Sequence, residues 1–203
     1  MPSGQRPISM VCRLQTRLRF LVRASPAERD RLAALDSLKG VAKILGARVS
    51  HPRWTSGGSI EFDVFAPSVV DFQLFTAALE PLAVVEHSRN LDEPPRFQPK
   101  ERVVEEAVRY FNAERYWECH EALESIWRPA RGKERLLLQG MILVCAAMVH
   151  VQRGEPDVAL GIYKRALPQI MWDAESYHGV DVPRLRERVK ESLARGEFPP
   201  FRI

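Results

Sequence analysis

The first half of the chain alternates between strand-like and helix-like patterns of apolar residues. Residues 13–24 have a period of two, with arginine at most polar positions and Leu21 as the exception, which is typical of a half-buried β-strand. Leucine and alanine then recur at helical spacing as far as Leu45. Before them, Ser25, Pro26 and Glu28 have the spacing of a capping box, which predicts where the helix begins.

Two further strands, a second helix and a last strand follow. The apolar alternations at 47–54 and 59–66 flank the turn-like sequence TSGG, which predicts a hairpin. A helix pattern begins after Pro67, and residues 83–90 again have strand character. The order βαββαβ predicts a ferredoxin-like domain over residues 1–90. In the usual strand order of that fold, Arg17 and Arg19 on the first strand face Glu61 and Asp63 on the third.

The second half contains helix patterns only. Three prolines interrupt every period in LDEPPRFQP, residues 91–99, so we predict a linker at residues 91–98. Beyond it, apolar periodicity and the placement of glycine and proline predict five helices, which form a bundle over residues 99–203. Their expected ranges are 99–111, 116–128, 133–153, 156–172 and 182–195. The predicted class is therefore α+β, with an N-terminal ferredoxin-like domain and a C-terminal all-α five-helix bundle.

Composition and charge exclude several classes of protein. The net charge of +4 is shared evenly between the two halves, so the chain lacks the basic tail by which many proteins bind nucleic acid. The three cysteines include no C-x-x-C pair and two lie in apolar helix patterns, which argues against a disulfide framework or a zinc site. The longest apolar run, Met141–Val149, is too short to span a bilayer. We expect a cytoplasmic protein that neither enters a membrane nor carries a cofactor.

The sequence YWECHEALESIW, residues 116–127, places acids and a histidine among aromatic rings on one predicted helix. At about 100° per residue, one continuous arc of this helix is mostly apolar and faces inward. Glu124 and Trp117 lie at the edge of this arc, Glu121 lies further out, and Glu118 points the opposite way. The arc itself contains Tyr116, Cys119, His120, Leu123, Ile126 and Trp127.

The following helix is apolar nearly all round, as expected at the centre of a bundle. Its polar interruptions are Gln139 and His150. A tight turn at residues 129–133 makes the two helices antiparallel neighbours, and counting outward from the turn places Glu124 level with Gln139. Because His120 lies in the inward arc and Glu124 lies at its edge, we expect both to be largely buried. Buried polar groups are normally hydrogen-bonded, so we also expect Glu124 to pair with Gln139.

The sequence FNAERYWECHEALESIWRPARGKERLLLQGMILVCAAMVHVQRGE resembles the helical family catalogued as domain of unknown function 309. Its hallmark is an aromatic-rich segment with the pattern H-E-x-x-E-x-x-W, here His120, Glu121, Glu124 and Trp127. An apolar helix with Q-G and a later histidine before R-G follows, and the resemblance covers residues 99–196. The family implies an all-helical bundle and supplies no established activity.

Three hypotheses about function remain open. The first is a non-catalytic protein that binds an unknown small ligand or protein partner in a pocket, with no metal. The candidate residues are Tyr116, His120, Glu121, Glu124, Trp127, Gln139 and His150. The second is a metal-dependent hydrolase in which His120 and Glu124 hold the ion and Glu121 is the base, although zinc proteases have a second histidine where Glu124 stands. The third is an RNA-binding accessory protein that uses the arginine face of the first strand.

We consider nucleic-acid binding the weakest of the three hypotheses, because aromatic platforms are absent from the outward positions of the first strand. Pairing of Arg17 and Arg19 with carboxylates on the third strand accounts for the arginine face instead. Homo-oligomer formation remains compatible with the sequence.

Overall fold

The computed structural model describes residues 17–93, 98–171 and 174–203. Its N-terminal half is an antiparallel sheet of four strands with two helices, and the strands lie in the order β2-β3-β1-β4. The α+β class predicted from the sequence is confirmed. The elements are β1 (Leu18–Pro26), α1 (Arg31–Ile44), β2 (Arg48–Trp54), β3 (Ile60–Ala66), α2 (Val69–Ala78) and β4 (Ala83–Asn90).

Helices α1 and α2 cover the inner face of this sheet. Alternate residues of β3 supply the buried apolar side chains Ile60, Phe62 and Val64. The ring of Phe20 on β1 stacks on that of Phe72 on α2, with 3.8 Å between the ring centroids. These side chains belong to an apolar core that is confined to the first half of the chain.

The predicted beginning of α1 is wrong. Strand β1 continues to Pro26, and the helix begins after Asp30, whose side chain accepts hydrogen bonds from the backbone N–H groups of Leu32 and Ala33. Aspartate is as good an N-cap as serine. Ser25 lies in the strand and donates to Glu86 on β4 instead of capping the helix.

The second half contains five helices among its described residues, close to the predicted bounds. They are α3 (Lys100–Asn112), α4 (Tyr116–Trp127), α5 (Gly132–Gln152), α6 (Pro156–Gln169) and α7 (Val182–Arg195). Helix α6 ends before the predicted limit at residue 172, which lies outside the described residues. A short hairpin, β5 (Ser176–Tyr177) and β6 (Val180–Asp181), precedes α7 and was not predicted, because two-residue strands have no measurable period.

Helix α5 is the centre of this second half. It packs against α4 on one side and α6 on the other, and its buried residues include Leu137, Met141 and Cys145. At 21 residues it is long and apolar enough to cross a membrane by length and composition, but 56% of its most apolar window is buried inside the protein. Burial of this kind is typical of the core helix of a soluble bundle.

The outer face of the sheet is covered by the helical half. Leu21, which broke the alternation of the first strand, is fully buried on this face. Glu61 and Asp63 on β3 are also buried. A polar layer therefore separates the apolar core of the sheet from the second apolar core, which is formed by the helices. Residues 94–97 of the predicted linker lie outside the described residues.

Because each half has its own apolar core, we expect residues 99–203 to fold when expressed alone. The carboxylate of Glu118, which the sheet covers in the full chain, keeps its partner Arg115 within the fragment and becomes hydrated. Far-UV circular dichroism should give a helical spectrum, and heating should give a cooperative transition. A fragment that is unfolded, or that melts without cooperativity, would contradict the predicted division.

Candidate functional site

The α3–α4 turn is fixed against the sheet by hydrogen bonds from both halves. Glu114 has a left-handed backbone with a φ of 56°, and its carboxylate accepts hydrogen bonds from the backbone N–H and the hydroxyl of Ser56 in the β2–β3 turn. Arg23 on β1 donates to the carbonyl of Ala113 at 2.6 Å. Gln152 at the end of α5 donates to the carbonyl of Glu114 at 2.8 Å. These contacts set the position at which α4 crosses the outer face of the sheet.

Glu118 is the buried acid of α4, and it points into the sheet. Arg115 donates to its two carboxylate oxygens over 2.5 and 2.7 Å. His87 and Arg89 on β4 approach the same carboxylate, with nitrogen–oxygen distances of 3.5 and 3.9 Å. Burial by itself would raise the pKa of Glu118, but His87 and Arg115 lower it to about 2. The carboxylate is therefore charged at neutral pH although its side chain is fully buried.

A second set of buried charges lies beside Glu118 on the sheet. Arg53 on β2 donates to Glu61 at 3.0 Å and to Asp63 at 3.1 Å. Asp63 also accepts from Arg19 at 2.6 Å and contacts His51 at 2.9 Å. Burial opposes ionisation of Asp63, but Arg53 and Arg19 lower its pKa. The pKa of Glu61 is raised, mainly by burial and also by the nearby Glu118, because Arg53 and Arg23 only partly offset these effects.

The predicted pairing of arginines with β3 is half right. Arg19 pairs with Asp63, as expected. Arg17 is exposed, and Glu61 pairs with Arg53 instead. The reason is the register, in which Leu18 is opposite Ala66 at the end of the β1–β3 ladder, so that Arg17 lies beyond it.

His120 lies at the border of the sheet rather than in the bundle core. Its ring stacks on that of Trp117, with 5.6 Å between the centroids, and both residues are half-buried. Arg19 and Arg53 place their guanidinium groups 5.8 and 5.9 Å from the Trp117 ring. Burial lowers the pKa of His120, although Glu124 and Glu121 act in the opposite direction. The histidine is therefore mostly neutral at pH 7.

The expectation that Glu124 is largely buried is wrong. Its side chain is 39% exposed, and its carboxylate lies 3.8 Å from the Arg128 guanidinium, one helical turn further along α4. Gln139 on α5 is half-buried. Cys119, Leu123 and Ile126 fill the buried part of the inward arc of α4. Glu124 lies at the edge of this arc and remains in contact with solvent.

The other candidate residues have contacts of their own outside the pair of acids Glu121 and Glu124. Tyr116 is buried in the helical core with its ring edge against Phe111. The guanidinium of Arg135, near the start of α5, lies 4.0 Å from the centroid of the Trp127 ring. His150 is near the other end of α5 and contacts Glu155. These three residues do not share a pocket with Glu121 and Glu124.

Glu121 and Glu124 line a cavity of about 480 Å³ between the end of β4 and helices α3 and α4. The strand side contributes Arg89, Asn90, Leu91 and Glu93. The helix side contributes Gln98, Val103, Glu106, Tyr110, Glu121, Ala122, Glu124, Ser125 and Arg128. Both halves of the chain therefore contribute to the wall of the cavity, which includes two of the predicted pocket residues.

Among the wall residues that the structure describes, acidic groups outnumber basic groups, by four carboxylates to two guanidinium groups. Glu121 is held in an ion pair by Arg89. Glu106 accepts a hydrogen bond from the phenol of Tyr110 at 2.9 Å and contacts the amide of Gln98 at 3.4 Å. Burial and Glu106 together raise the pKa of Tyr110 to about 12, so the phenol stays protonated and can donate. Neither of these partners neutralises the charge of Glu106.

Sequence patterns did not reveal the buried charges Glu118, Arg53 and Glu61. The helical wheel of α4 assigns one buried face, and Glu118 lies on the opposite face, which the sheet buries instead. One signal was available in the first strand, where Leu21 places an apolar residue on the face that otherwise carries arginines. An apolar residue at that position indicates that part of the outer face is covered.

Comparison with known proteins relates the helical half to a family. The family model for a domain of unknown function (DUF309) matches residues 104–162. A conserved hypothetical protein from Thermus thermophilus, whose crystal structure is known, is 33% identical to this chain over the matched residues. That match covers 48% of this chain and 99% of that one, with a TM-score of 0.41. The family match places residues 104–162 of this chain in the DUF309 family. No curated protein matches the chain.

The DUF309 segment contains the helical wall of the cavity. Glu106, Tyr110, Glu121 and Glu124 all lie within the matched residues 104–162. The strand wall, including Arg89, lies outside the matched residues. The match is shorter than the predicted extent of 99–196 and ends within α6. As the description of the family states, its function is unknown.

Proposed function

We propose that this protein binds a small cationic ligand, without catalysis, in the cavity between β4 and helices α3 and α4. The observation that carries the proposal is the acidic wall of this 480 Å³ cavity. Its volume lies within the range of sites for small organic ligands. Apolar contacts with the carbon chain of a ligand are available from Leu91, Val103 and Ala122.

The charges in the wall favour an amine or guanidinium group on the ligand. Arg89 is held in a close ion pair by Glu121, which reduces its capacity to bind an anion. Glu106 and Glu124 retain capacity for a cation, because Glu106 is bonded to a neutral phenol and the ion pair of Glu124 is long at 3.8 Å. A ligand ammonium between these two carboxylates would form charge-assisted hydrogen bonds, which are about twice as strong as neutral ones.

The positions of the motif residues favour binding over hydrolysis. His120 stacks on Trp117 at the sheet, Glu121 is paired with Arg89, and Glu124 faces the cavity. Within the ranges that the structure describes, no group of three histidine, cysteine or acidic side chains is arranged to hold a metal ion. The hydrolase hypothesis needs such a group, since a catalytic zinc site uses three protein ligands.

The N-terminal half supports this function by supplying one wall of the cavity. Its strand order and its antiparallel pairing support a ferredoxin-like arrangement, which remains part of the proposal. Helix α4 lies across the sheet face that an RNA strand would occupy, which disfavours the RNA hypothesis. We continue to place the protein in the cytoplasm on the basis of its composition.

The proposal predicts that the full chain binds putrescine, an aliphatic diamine, and does not bind butanediol, which has a similar length and no charge. Isothermal titration calorimetry measures both. The substitutions Glu106→Gln and Glu124→Gln should each raise Kd about tenfold, because each removes one charge-assisted contact.

The matched control is Glu187→Gln, which removes a carboxylate from an exposed position on α7 and should leave Kd unchanged. Three outcomes would overturn the proposal. One is no detectable binding of putrescine, another is equal binding of butanediol, and the third is an equal loss of affinity in all three variants. Equal losses would indicate that the affinity for the diamine depends only on the net charge of the protein.

A further inference from the structure

Two buried cysteines face each other across the central helix pair. Cys119 on α4 and Cys145 on α5 are both buried in the helical core, and both are free thiols. The two sulfur atoms are 3.1 Å apart, close enough for one thiol to donate to the other. We propose that this pair is a site of reversible disulfide formation that covalently joins α4 to α5. The proposal is independent of the cationic ligand.

The geometry requires only a small movement of the chain. A disulfide has a sulfur–sulfur distance of about 2.05 Å, so the two atoms must approach by about 1 Å. The helices that carry them are already packed side by side, and Leu123 and Met141 belong to the same apolar core. The bond would therefore connect two rigid elements in nearly their present positions.

The environment of the pair predicts slow oxidation. Burial and the neighbouring Cys145 raise the pKa of the Cys119 thiol, so the reactive thiolate is scarce. Reaction must await a local opening that admits the oxidant or exposes the thiols. A surface cysteine pair with a normal pKa would react sooner, which gives this site a kinetic signature.

With a peroxide as the oxidant, the chemistry is balanced. One thiolate attacks an oxygen of hydrogen peroxide, the O–O bond breaks, and a sulfenic acid forms as hydroxide leaves and takes a proton. The second sulfur then attacks the sulfenic sulfur and displaces its oxygen as water. Two thiols and one hydrogen peroxide give one disulfide and two water molecules. A dithiol reductant reverses the reaction by thiol–disulfide exchange.

The bond would restrict the helix that carries the motif. Helix α4 presents Glu118 to the sheet and Glu121 and Glu124 to the cavity, and it is joined to α5 through the connection at residues 128–131. A disulfide between Cys119 and Cys145 closes a loop between the two helices and reduces the conformational entropy of the unfolded chain. We therefore expect the oxidised protein to be more resistant to heat than the reduced protein.

The test uses the full chain with Cys12→Ser, which removes the third cysteine. Hydrogen peroxide is added, free thiols are alkylated in denaturant, and the intact mass is measured. The proposal predicts a monomer that has lost two hydrogen atoms and takes up no alkyl group. Its Tm should be raised by about 5 °C and restored by dithiothreitol.

The control adds Cys119→Ala to the same background, and its Tm should not rise on treatment with peroxide. Recovery of both thiols after long exposure would overturn the proposal, and so would oxidation of either sulfur to sulfinic acid without a disulfide. Formation of disulfide-linked dimers would also overturn it, because the pair would then not be bonding within one core.

Discussion

Glu118→Ala should destabilise the protein by about 3–5 kcal/mol, the range found when one partner of a buried ion pair is removed. The variant leaves the Arg115 guanidinium without its carboxylate and opens a cavity between α4 and the sheet. Urea denaturation followed by circular dichroism measures the change in the free energy of unfolding. Glu124→Ala is the matched control on the same helix and should change stability by no more than about 0.5 kcal/mol, because that side chain is 39% exposed.

The pH dependence of stability gives a second measurement of Glu118. Its folded-state pKa is about 2, below the ordinary value of 4.5, so between these two values the unfolded chain binds more protons than the folded chain. The contribution of Glu118 is therefore fully present above pH 4.5 and is lost as the pH falls towards 2.

The raised pKa of Glu61 acts in the opposite direction, so the useful quantity is the difference between the wild type and Glu118→Gln. That difference should shrink steadily as the pH falls through this window. A difference that is independent of pH would show that Glu118 is not ionised in the folded protein.

The helix bounds could be predicted because they depend on local signals. Apolar periodicity, Pro156 at the first turn of α6 and Gly196 after α7 act within a few residues of each helix end. The position of α1 was predicted less well, because Ser25 and Asp30 are both good caps and local sequence does not decide between them. The β1–β4 pairing decides, since it keeps Ser25 and Pro26 in the strand.

The burial of α4 could not be predicted from its own sequence. A helical wheel assigns residues to a face, but it contains no information about how many faces are covered. Helix α4 is covered on one side by α3 and α5 and on the other by the sheet, so that Cys119 and Glu118, adjacent in sequence, are both fully buried. Glu124, which the wheel placed at the edge of the inward arc, faces a cavity that forms only when the two halves meet.

A buried charge was harder to predict than a buried apolar residue, because its partners come from distant parts of the chain. Glu118 is stabilised by His87 and Arg89 from a strand about thirty positions earlier in the chain, together with Arg115, the residue before its own helix. Only Arg115 is close in sequence, and a pair spaced at i and i+3 is usually an exposed surface pair. Long-range contacts of this kind leave no periodic signal.

Gly140→Ala should destabilise the protein by about 1–3 kcal/mol, the usual cost of overfilling a packed core. Helix propensity alone predicts the opposite sign, because alanine is better than glycine inside a helix by about 1 kcal/mol. Packing decides the outcome, since a methyl group at Gly140 on α5 would lie 2.4 Å from the Ile170 side chain and 3.1 Å from its backbone nitrogen. The side chain could rotate away, but the backbone at the end of α6 must move.

Gly161→Ala is the control that separates propensity from packing. Gly161 lies in α6, is exposed, and has no atom within 4 Å of the position that a methyl group would occupy. This substitution should therefore stabilise the protein by up to about 1 kcal/mol. Thermal and urea denaturation of both variants should give changes of opposite sign. If both substitutions stabilise the protein, the contact between α5 and the end of α6 is looser than the structure indicates, and Gly140 is not required there for close packing.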